Sequence, residues 1–183
     1  MTRQHYAPVT RPVFNSIRFK ACDLPCRDAM KRLGRKHGIE YADGSDFGRD
    51  LIAFDHAMEV ECRGQRYDPG GPCWTDNEDT FEQLWIHIPS RKVNDYWDDE
   101  AQESGDAAKT HYAIFRHDFR RCGVISGQHI ITWVNRALID NRENAVDDGV
   151  GVFYKVPYAL FSWFNVETGE EIRPNKSTHT PGQ

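Results

Sequence analysis

The sequence predicts an α+β or mixed α/β protein with a central mixed β-sheet flanked by helices. A segment at 23–38 has helical spacing, a run of strand-like segments follows it, and no repeating strand–helix–strand series is present. With 183 residues, the chain is long enough for one domain with a buried core. We therefore predict a single domain over residues 1–183, with loose polar ends at about 1–12 and 173–183.

The first predicted helix lies in "DLPCRDAMKRLGRKHG", residues 23–38. Asp23 is suited to the N-cap position and Pro25 to the first turn, and Gly34 or Gly38 lies near the helix end. The inward stripe is predicted to consist of three residues at spacings of four and three, which are Cys26, Met30 and Leu33. Three basic residues repeat every four positions on one face, and these are Arg27, Lys31 and Arg35. This face is either a solvated helix surface or a ridge that contacts the phosphates of a nucleic acid.

Strand-like segments fill most of the remaining chain. "DLIAF" and "AMEVEC" are predicted to pair as a hairpin that turns at Asp55 and His56. Further strands are predicted in "FEQLWIHIP", "HYAIFRHDF", "CGVIS" and "GVGVFYKVP". "HIITWVNRALI" is ambiguous between helix and strand, and "PYALFSWF" between a short helix and a strand. The aromatic residues near the end of the chain are predicted to fill the core rather than to stack on bases.

Charge and composition restrict the possible partners and compartment. The formal net charge of -5 gives no general affinity for nucleic acid, so such a partner would need a local basic patch or metal ions. No apolar run has membrane-spanning length, and the first residues lack the apolar core of a signal peptide. Five cysteines without a regular framework indicate buried free thiols in a reducing compartment rather than a structural zinc site. We therefore expect a cytoplasmic protein with no membrane partner.

The stretch "GRDLIAFDHAMEVECRG" concentrates carboxylates in a predicted hairpin. Glu59 and Glu61 share one strand face because successive side chains alternate, and Asp50 opens the neighbouring strand. Carboxylate oxygens are ligands that Mg²⁺ and Mn²⁺ prefer. The three carboxylates are thus either a metal site, with Asp46 as a reserve ligand, or part of a solvated sheet face.

This hairpin resembles the signature of the PD-(D/E)xK nuclease superfamily. In that family an Asp opens one strand, and an acidic residue, any residue and usually a Lys follow on the adjoining strand. The matching residues here are Asp50 and then Glu59-Val60-Glu61, with Glu61 where the family usually has Lys. The preceding helix and the later "LWIHIPSRK" strand also resemble the family layout, over roughly residues 23–126.

The resemblance implies a restriction-endonuclease-like fold and metal-dependent hydrolysis of phosphodiester bonds in DNA, with RNA as the alternative substrate. It makes Asp50 and Glu59 ligands of Mg²⁺ or Mn²⁺, and Glu61 a ligand or general base. Lys92 would complete the catalytic set, and Arg91 would contact phosphate. A small prokaryotic or phage-encoded protein, with a homodimer suited to cutting two strands, would fit this family. The alternative is a catalytically inactive nuclease fold, or another α+β protein, acting as a structural or protein-interaction component.

Overall fold

The computed structural model describes residues 23–44, 50–63, 85–90, 93, 109–116, 118–139, 145–147 and 152–172. These residues form an α+β fold with a mixed central sheet and two helices, which confirms the predicted fold class. The helices are α1 (Leu24–Lys36) and α2 (Gly127–Ile139). Neither of these described helices is long and apolar enough to cross a membrane. The strands are β1 (Ala42–Asp43), β2 (Leu51–Ala53), β3 (His56–Arg63), β4 (Trp85–Pro89), β5 (Thr110–Arg116), β6 (Arg121–Ser126), β7 (Ala145–Asp147), β8 (Val152–Pro157), β9 (Ser162–Asn165) and β10 (Glu171–Ile172).

Seven of the described strands form the central sheet in the order β1-β2-β3-β5-β6-β9-β10. All neighbours are antiparallel except β3 and β5, which run parallel from Ala57↔Thr110 to Arg63↔Arg116. A parallel pair requires a long crossover connection, and this one includes β4. β4 pairs with β8 in a separate three-stranded sheet, so β5 and not the "WIHIP" strand lies beside β3.

α1 packs on one face of the central sheet. Its inward residues have the predicted spacing, and they join sheet residues in a cluster that we call the α1 core. The α1 core consists of Cys26, Ala29, Met30, Leu33, Leu51, Met58, Val60, Ala113, Phe115, Cys122 and Val166. Cys26 and Cys122 are free buried thiols, as predicted, and burial raises the pKa of Cys122 well above its usual value.

The hydrogen bonds at the end of α1 explain why a glycine follows the helix. Ile39 N–H donates to the carbonyl oxygen of Gly34 at 2.9 Å, and Gly38 N–H donates to that of Arg35 at 3.2 Å. Gly38 has a φ of 74°, the left-handed conformation that this pair of hydrogen bonds requires after a helix. Asp23 occupies the predicted N-cap position, although its side chain makes no capping hydrogen bond.

The opposite face of the sheet is covered by α2 and the three-stranded sheet. Together they form a second cluster, the α2 core, which consists of Ile86, Ile88, Val93, Tyr112, Ile114, Ile125, Ile130, Ile131, Val134, Tyr154, Val156, Tyr158, Phe161 and Trp163. The ambiguous "HIITWVNRALI" is helical because Ile130, Ile131 and Val134 all meet this core at helical spacing. Trp133 Nε1 also donates to the carbonyl oxygen of Lys155 at 2.9 Å, which ties α2 to β8.

The "PYALFSWF" segment combines both predicted possibilities, because a 3₁₀ turn at Tyr158–Leu160 leads into β9. Trp163 is 1% exposed, and its ring stacks on Tyr158 with centroids 4.0 Å apart. A Cβ atom on Gly123 would lie 2.7 Å from the Trp163 ring, so only glycine fits on β6 at this point. The prediction that the late aromatic residues fill the core is confirmed for the four that belong to the α2 core.

Candidate carboxylate site

The predicted carboxylates lie where β2, β3 and β5 meet. Met58 and Val60 belong to the α1 core, so alternation directs Glu59 and Glu61 to the opposite face. On that face β5 contributes Tyr112, the register partner of Glu59 and a member of the α2 core. The two glutamates therefore share one face of β3, beneath the elements that form the α2 core.

Asp50 is held against β3 at the end of β2. Its Oδ2 accepts a hydrogen bond from Val60 N–H at 2.7 Å, and its Oδ1 accepts one from Arg27 Nη2 at 2.6 Å. Continuing the β2–β3 register by one position places Asp50 opposite Glu59. The side chains of Arg27 and Asp50 are only 15% and 21% exposed. The structure thus brings Asp50 beside the Glu59 strand, but also connects it to α1.

Glu59 is buried and Glu61 is half-buried, so neither lies on a freely solvated sheet face. Glu59 is 4% exposed, and the Tyr112 hydroxyl, itself fully buried, donates a hydrogen bond to Glu61 Oε2. A buried carboxylate is unfavourable by several kcal/mol unless hydrogen bonds or positive charge compensate for it. The Glu59 carboxylate is therefore embedded in the fold and the Glu61 carboxylate partly so, an arrangement that suits a structural network or a ligand site.

The donor set of three carboxylates is chemically suited to Mg²⁺ or Mn²⁺. Among the described residues, however, no three or more His, Cys, Asp or Glu side chains are grouped so that they could hold a metal ion. Asp50 meets the guanidinium of Arg27 instead, and Glu61 meets the hydroxyl of Tyr112. An ion that binds Asp50 Oδ1 would compete with Arg27 for that oxygen.

The predicted basic ridge of α1 is partly used within the protein. Arg27 bonds to Asp50, and Lys31 Nζ lies 2.7 Å from Asp43 Oδ2 on β1. Arg35, one turn further along, is exposed. Two of the three ridge residues therefore neutralise carboxylates of the sheet, and contact of the ridge with phosphate stays a prediction.

The predicted basic pair Arg91 and Lys92, like the reserve ligand Asp46, lies outside the described residues. The residues that flank the pair are described, and Ser90 and Val93 are 3% and 0% exposed. Val93 belongs to the α2 core, on the face of the sheet that carries the two glutamates.

A second group of polar side chains gathers where β3 and β5 begin. The rings of His56 and His111 have centroids 5.5 Å apart, and Lys109 Nζ lies 3.2 Å from Asp55 Oδ2. Burial, then His56, and more weakly His129, lower the pKa of His111. Sequence reasoning missed this group because its histidines belong to three separate elements.

The hairpin turn also differs from its predicted position. Ala53 pairs with His56, so Phe54 and Asp55 form the turn and His56 already belongs to β3. The prediction of a turn at Asp55 and His56 was therefore wrong by one residue. No Gly or Asn marks the turn, so the usual sequence signal for a two-residue hairpin loop was missing.

Tyr112 was likewise not singled out as a site residue. It reaches Glu61 through the parallel pairing of β3 and β5, and the two residues are 51 positions apart in the chain. No local pattern in the sequence indicates a contact of this kind.

A scan against protein-family models found no family that matches this chain, and searches of curated proteins and of solved structures found no match either.

Proposed function

We propose that this protein is a metal-dependent nuclease with a restriction-endonuclease-like fold that hydrolyses phosphodiester bonds in DNA. The observation that carries the proposal is the position of Asp50, whose Oδ2 is held 2.7 Å from Val60 N, between the two glutamates of β3. The β2–β3 register supports it further, because its continuation by one position places Asp50 opposite Glu59. A prokaryotic or phage-infected cytoplasm and a homodimer belong to the same proposal.

In this proposal each carboxylate has a separate role. Asp50 and Glu59 would hold Mg²⁺ or Mn²⁺, and Glu61 would either complete the ligand set or accept a proton from the attacking water. When bound, the ion would supply Lewis-acid polarisation of the phosphoryl oxygen and a more acidic water. Tyr112 orients the Glu61 carboxylate through its hydroxyl.

Basic residues would position the DNA phosphates. Arg27 already demonstrates that Asp50 accepts a cationic partner, since the two side chains meet at 2.6 Å. When an ion takes its place, the guanidinium becomes available to a substrate phosphate, for which its planar fork is well suited. Arg91 and Lys92 precede Val93, which lies on the glutamate face, and they are proposed as further phosphate contacts.

The test is incubation of the purified protein with plasmid and single-stranded DNA in the presence of Mn²⁺. We expect cleavage by the wild-type protein and its loss in Asp50→Asn and Glu59→Gln. Asp43→Asn is the matched control, because Asp43 is a carboxylate of the same sheet with a 61% exposed side chain and a lysine partner. If the wild-type protein neither cleaves DNA nor binds Mn²⁺ by calorimetry, the enzyme proposal fails.

The second candidate is a structural or protein-interaction component without catalysis. It is favoured by the contacts of Arg27 with Asp50 and of Tyr112 with Glu61, which link α1, β2, β3 and β5 through side chains of the protein. The melting temperature distinguishes the two candidates. Mn²⁺ raises it if the folded protein binds the ion, whereas a purely structural network leaves it unchanged.

A further inference from the structure

Phe54 at the tip of the β2–β3 hairpin is in an unfavourable position for an aromatic residue. Its side chain is 92% exposed, and its backbone φ is 55°. In two-residue hairpin turns the positions with positive φ are usually taken by Gly, Asn or Asp, because a bulky side chain is strained there. Neither its environment nor its backbone conformation favours phenylalanine at this position.

A second phenylalanine shows how such strain is normally compensated. Phe119, with a φ of 57°, lies in the turn between β5 and β6, and its ring is partly buried against the α1 core. Its N–H also donates to the carbonyl oxygen of Arg116 at 2.8 Å. Burial of the Phe119 ring stabilises the fold, and Phe54 gains no comparable burial. Folding stability therefore does not explain the Phe54 side chain, and strain of this kind is typical of functional positions.

The surroundings of Phe54 indicate what its ring could contact. Asp55 follows it in the turn, with Lys109 Nζ 3.2 Å from the Asp55 carboxylate. The imidazole rings of His56 and His111 lie 5.5 Å apart beside this ion pair. One exposed ring among cationic and titratable nitrogens is too polar a surface for a typical apolar protein interface. Exposed rings beside basic groups are typical of surfaces that bind single-stranded nucleic acid.

The three imidazoles at this end of the sheet also affect one another. Burial lowers the pKa of His111, and His56 and, more weakly, His129 lower it further. Lys109 and His56 are 43% and 51% exposed, so both can reach a ligand in solvent. Both side chains already lie beside the Asp55 carboxylate, with Lys109 Nζ at 3.2 Å and His56 Nε2 at 3.5 Å, so the ligand that suits their nitrogens is another oxyanion such as a phosphate.

We propose that the hairpin tip binds a single strand of nucleic acid, with an unpaired base stacked on Phe54 and a neighbouring phosphate contacted by Lys109 and His56. The inference rests on the proposed function and adds the residue that positions the substrate strand. β2 alone separates Phe54 from Asp50, a distance of about 13 Å at about 3.3 Å per residue. A single strand of DNA that contacts the tip is therefore long enough to extend to Asp50.

The test measures binding of a fluorescein-labelled oligothymidylate by anisotropy, with Ca²⁺ in place of Mn²⁺. Phe54→Gly should weaken binding about tenfold or more, since a base loses its stacking partner. The same variant should keep or raise the melting temperature, because glycine adopts positive φ without strain. Phe54→Tyr retains a ring and should bind like the wild-type protein. Leu160→Ala is the control, because Leu160 is another exposed apolar residue, 41% exposed and in the 3₁₀ turn after β8.

The outcomes separate this inference from the nuclease proposal. If Phe54→Gly cleaves DNA and binds the oligonucleotide like the wild-type protein, the inference is overturned and the nuclease proposal stands. If oligonucleotide binding depends on Phe54 but the wild-type protein does not cleave DNA, the inference stands and the nuclease proposal fails. Absence of oligonucleotide binding by the wild-type protein overturns the inference. The inference is also overturned if the wild-type protein is a dimer that Phe54→Gly converts to a monomer while oligonucleotide binding stays unchanged. The tip would then bind a second copy of this chain.

Discussion

Arg27 Nη2 lies 2.6 Å from Asp50 Oδ1 and joins α1 to the end of β2. The other oxygen of the same carboxylate accepts the Val60 N–H of β3, so one aspartate connects three elements. α1 also forms a second ion pair, in which Lys31 meets Asp43, but the Asp43 side chain is 61% exposed. The two pairs on one helix provide a direct comparison of a part-buried and an exposed ion pair.

Removing the part-buried cation should destabilise the protein more than removing the exposed one. We expect Arg27→Met to lower the free energy of unfolding by about 1–2 kcal/mol, because Asp50 loses a charge-assisted hydrogen bond in a poorly solvated place. Lys31→Met should lower it by less than about 0.5 kcal/mol, because water screens the exposed pair. Urea denaturation of both variants measures the difference, and equal losses would contradict it.

Arg27→Met should also strengthen metal binding if Asp50 is a metal ligand. Arg27→Met removes the cation that occupies Asp50 Oδ1, so the Mn²⁺ affinity measured by calorimetry should rise several-fold. The control is the double variant Arg27→Met with Asp50→Asn, which should not show the increase. An unchanged Mn²⁺ affinity in Arg27→Met would argue against Asp50 as a ligand.

The hydroxyl of Tyr112 should stabilise the protein through Glu61. Tyr112→Phe removes only that oxygen from a fully buried side chain, and we expect a loss of about 1–2 kcal/mol in the free energy of unfolding. A double-mutant cycle with Glu61→Gln isolates the interaction, and its coupling energy should lie between about 0.5 and 3 kcal/mol. A coupling energy near zero would show that the two groups do not act together.

The stability of the protein should decrease in mild acid because of His111. Burial, and after it the charges of His56 and His129, lower the pKa of His111 below the ordinary value of 6.5. Between 6.5 and the lower folded-state pKa, the unfolded chain binds more protons than the folded protein, so the free energy of unfolding falls as the pH falls. His111→Asn should flatten this decrease. Urea denaturation between pH 5 and pH 7.5 measures it, and an identical slope in the variant would contradict the assignment.

The close contact between β6 and β9 predicts a strong effect of one methyl group. Gly123→Ala places a Cβ atom 2.7 Å from the Trp163 ring, and we expect overpacking to destabilise the protein by about 1–3 kcal/mol. Near-ultraviolet circular dichroism should change as well, because Trp163 must move. Gly38→Ala is a useful comparison, since its Cβ would meet nothing within 4 Å and only the positive φ opposes it. Loss of stability without a change in the aromatic signal in Gly123→Ala would contradict the proposed clash.

Some features of the fold followed directly from local sequence patterns. The spacing of Cys26, Met30 and Leu33 predicted the inward face of α1, and Gly38 ends the segment as expected. Strand alternation predicted that Glu59 and Glu61 lie on one face. These features are predictable because they depend on neighbours within a few residues, where backbone geometry alone relates the side chains.

Other features depended on contacts between distant parts of the chain. The apolar residues of "HIITWVNRALI" are compatible with a helix or with a strand. The segment is helical because it packs in the α2 core. β4 belongs to the three-stranded sheet because it pairs with β8, more than sixty residues away along the chain. The turn at Phe54 and Asp55 contains no Gly or Asn, and the β2–β3 register locates it.

The sequence by itself determined the α+β class, the limits of α1, and the common face of Glu59 and Glu61. Only the tertiary structure decided that Asp50 meets Arg27, 23 positions away, and that Glu61 meets Tyr112, 51 positions away. The physical reason is that charge and hydrogen-bond partners are selected by packing across elements. The parallel pairing of β3 with β5 brings Tyr112 to Glu61, and the packing of α1 on the sheet brings Arg27 to Asp50. No local sequence pattern specifies either contact.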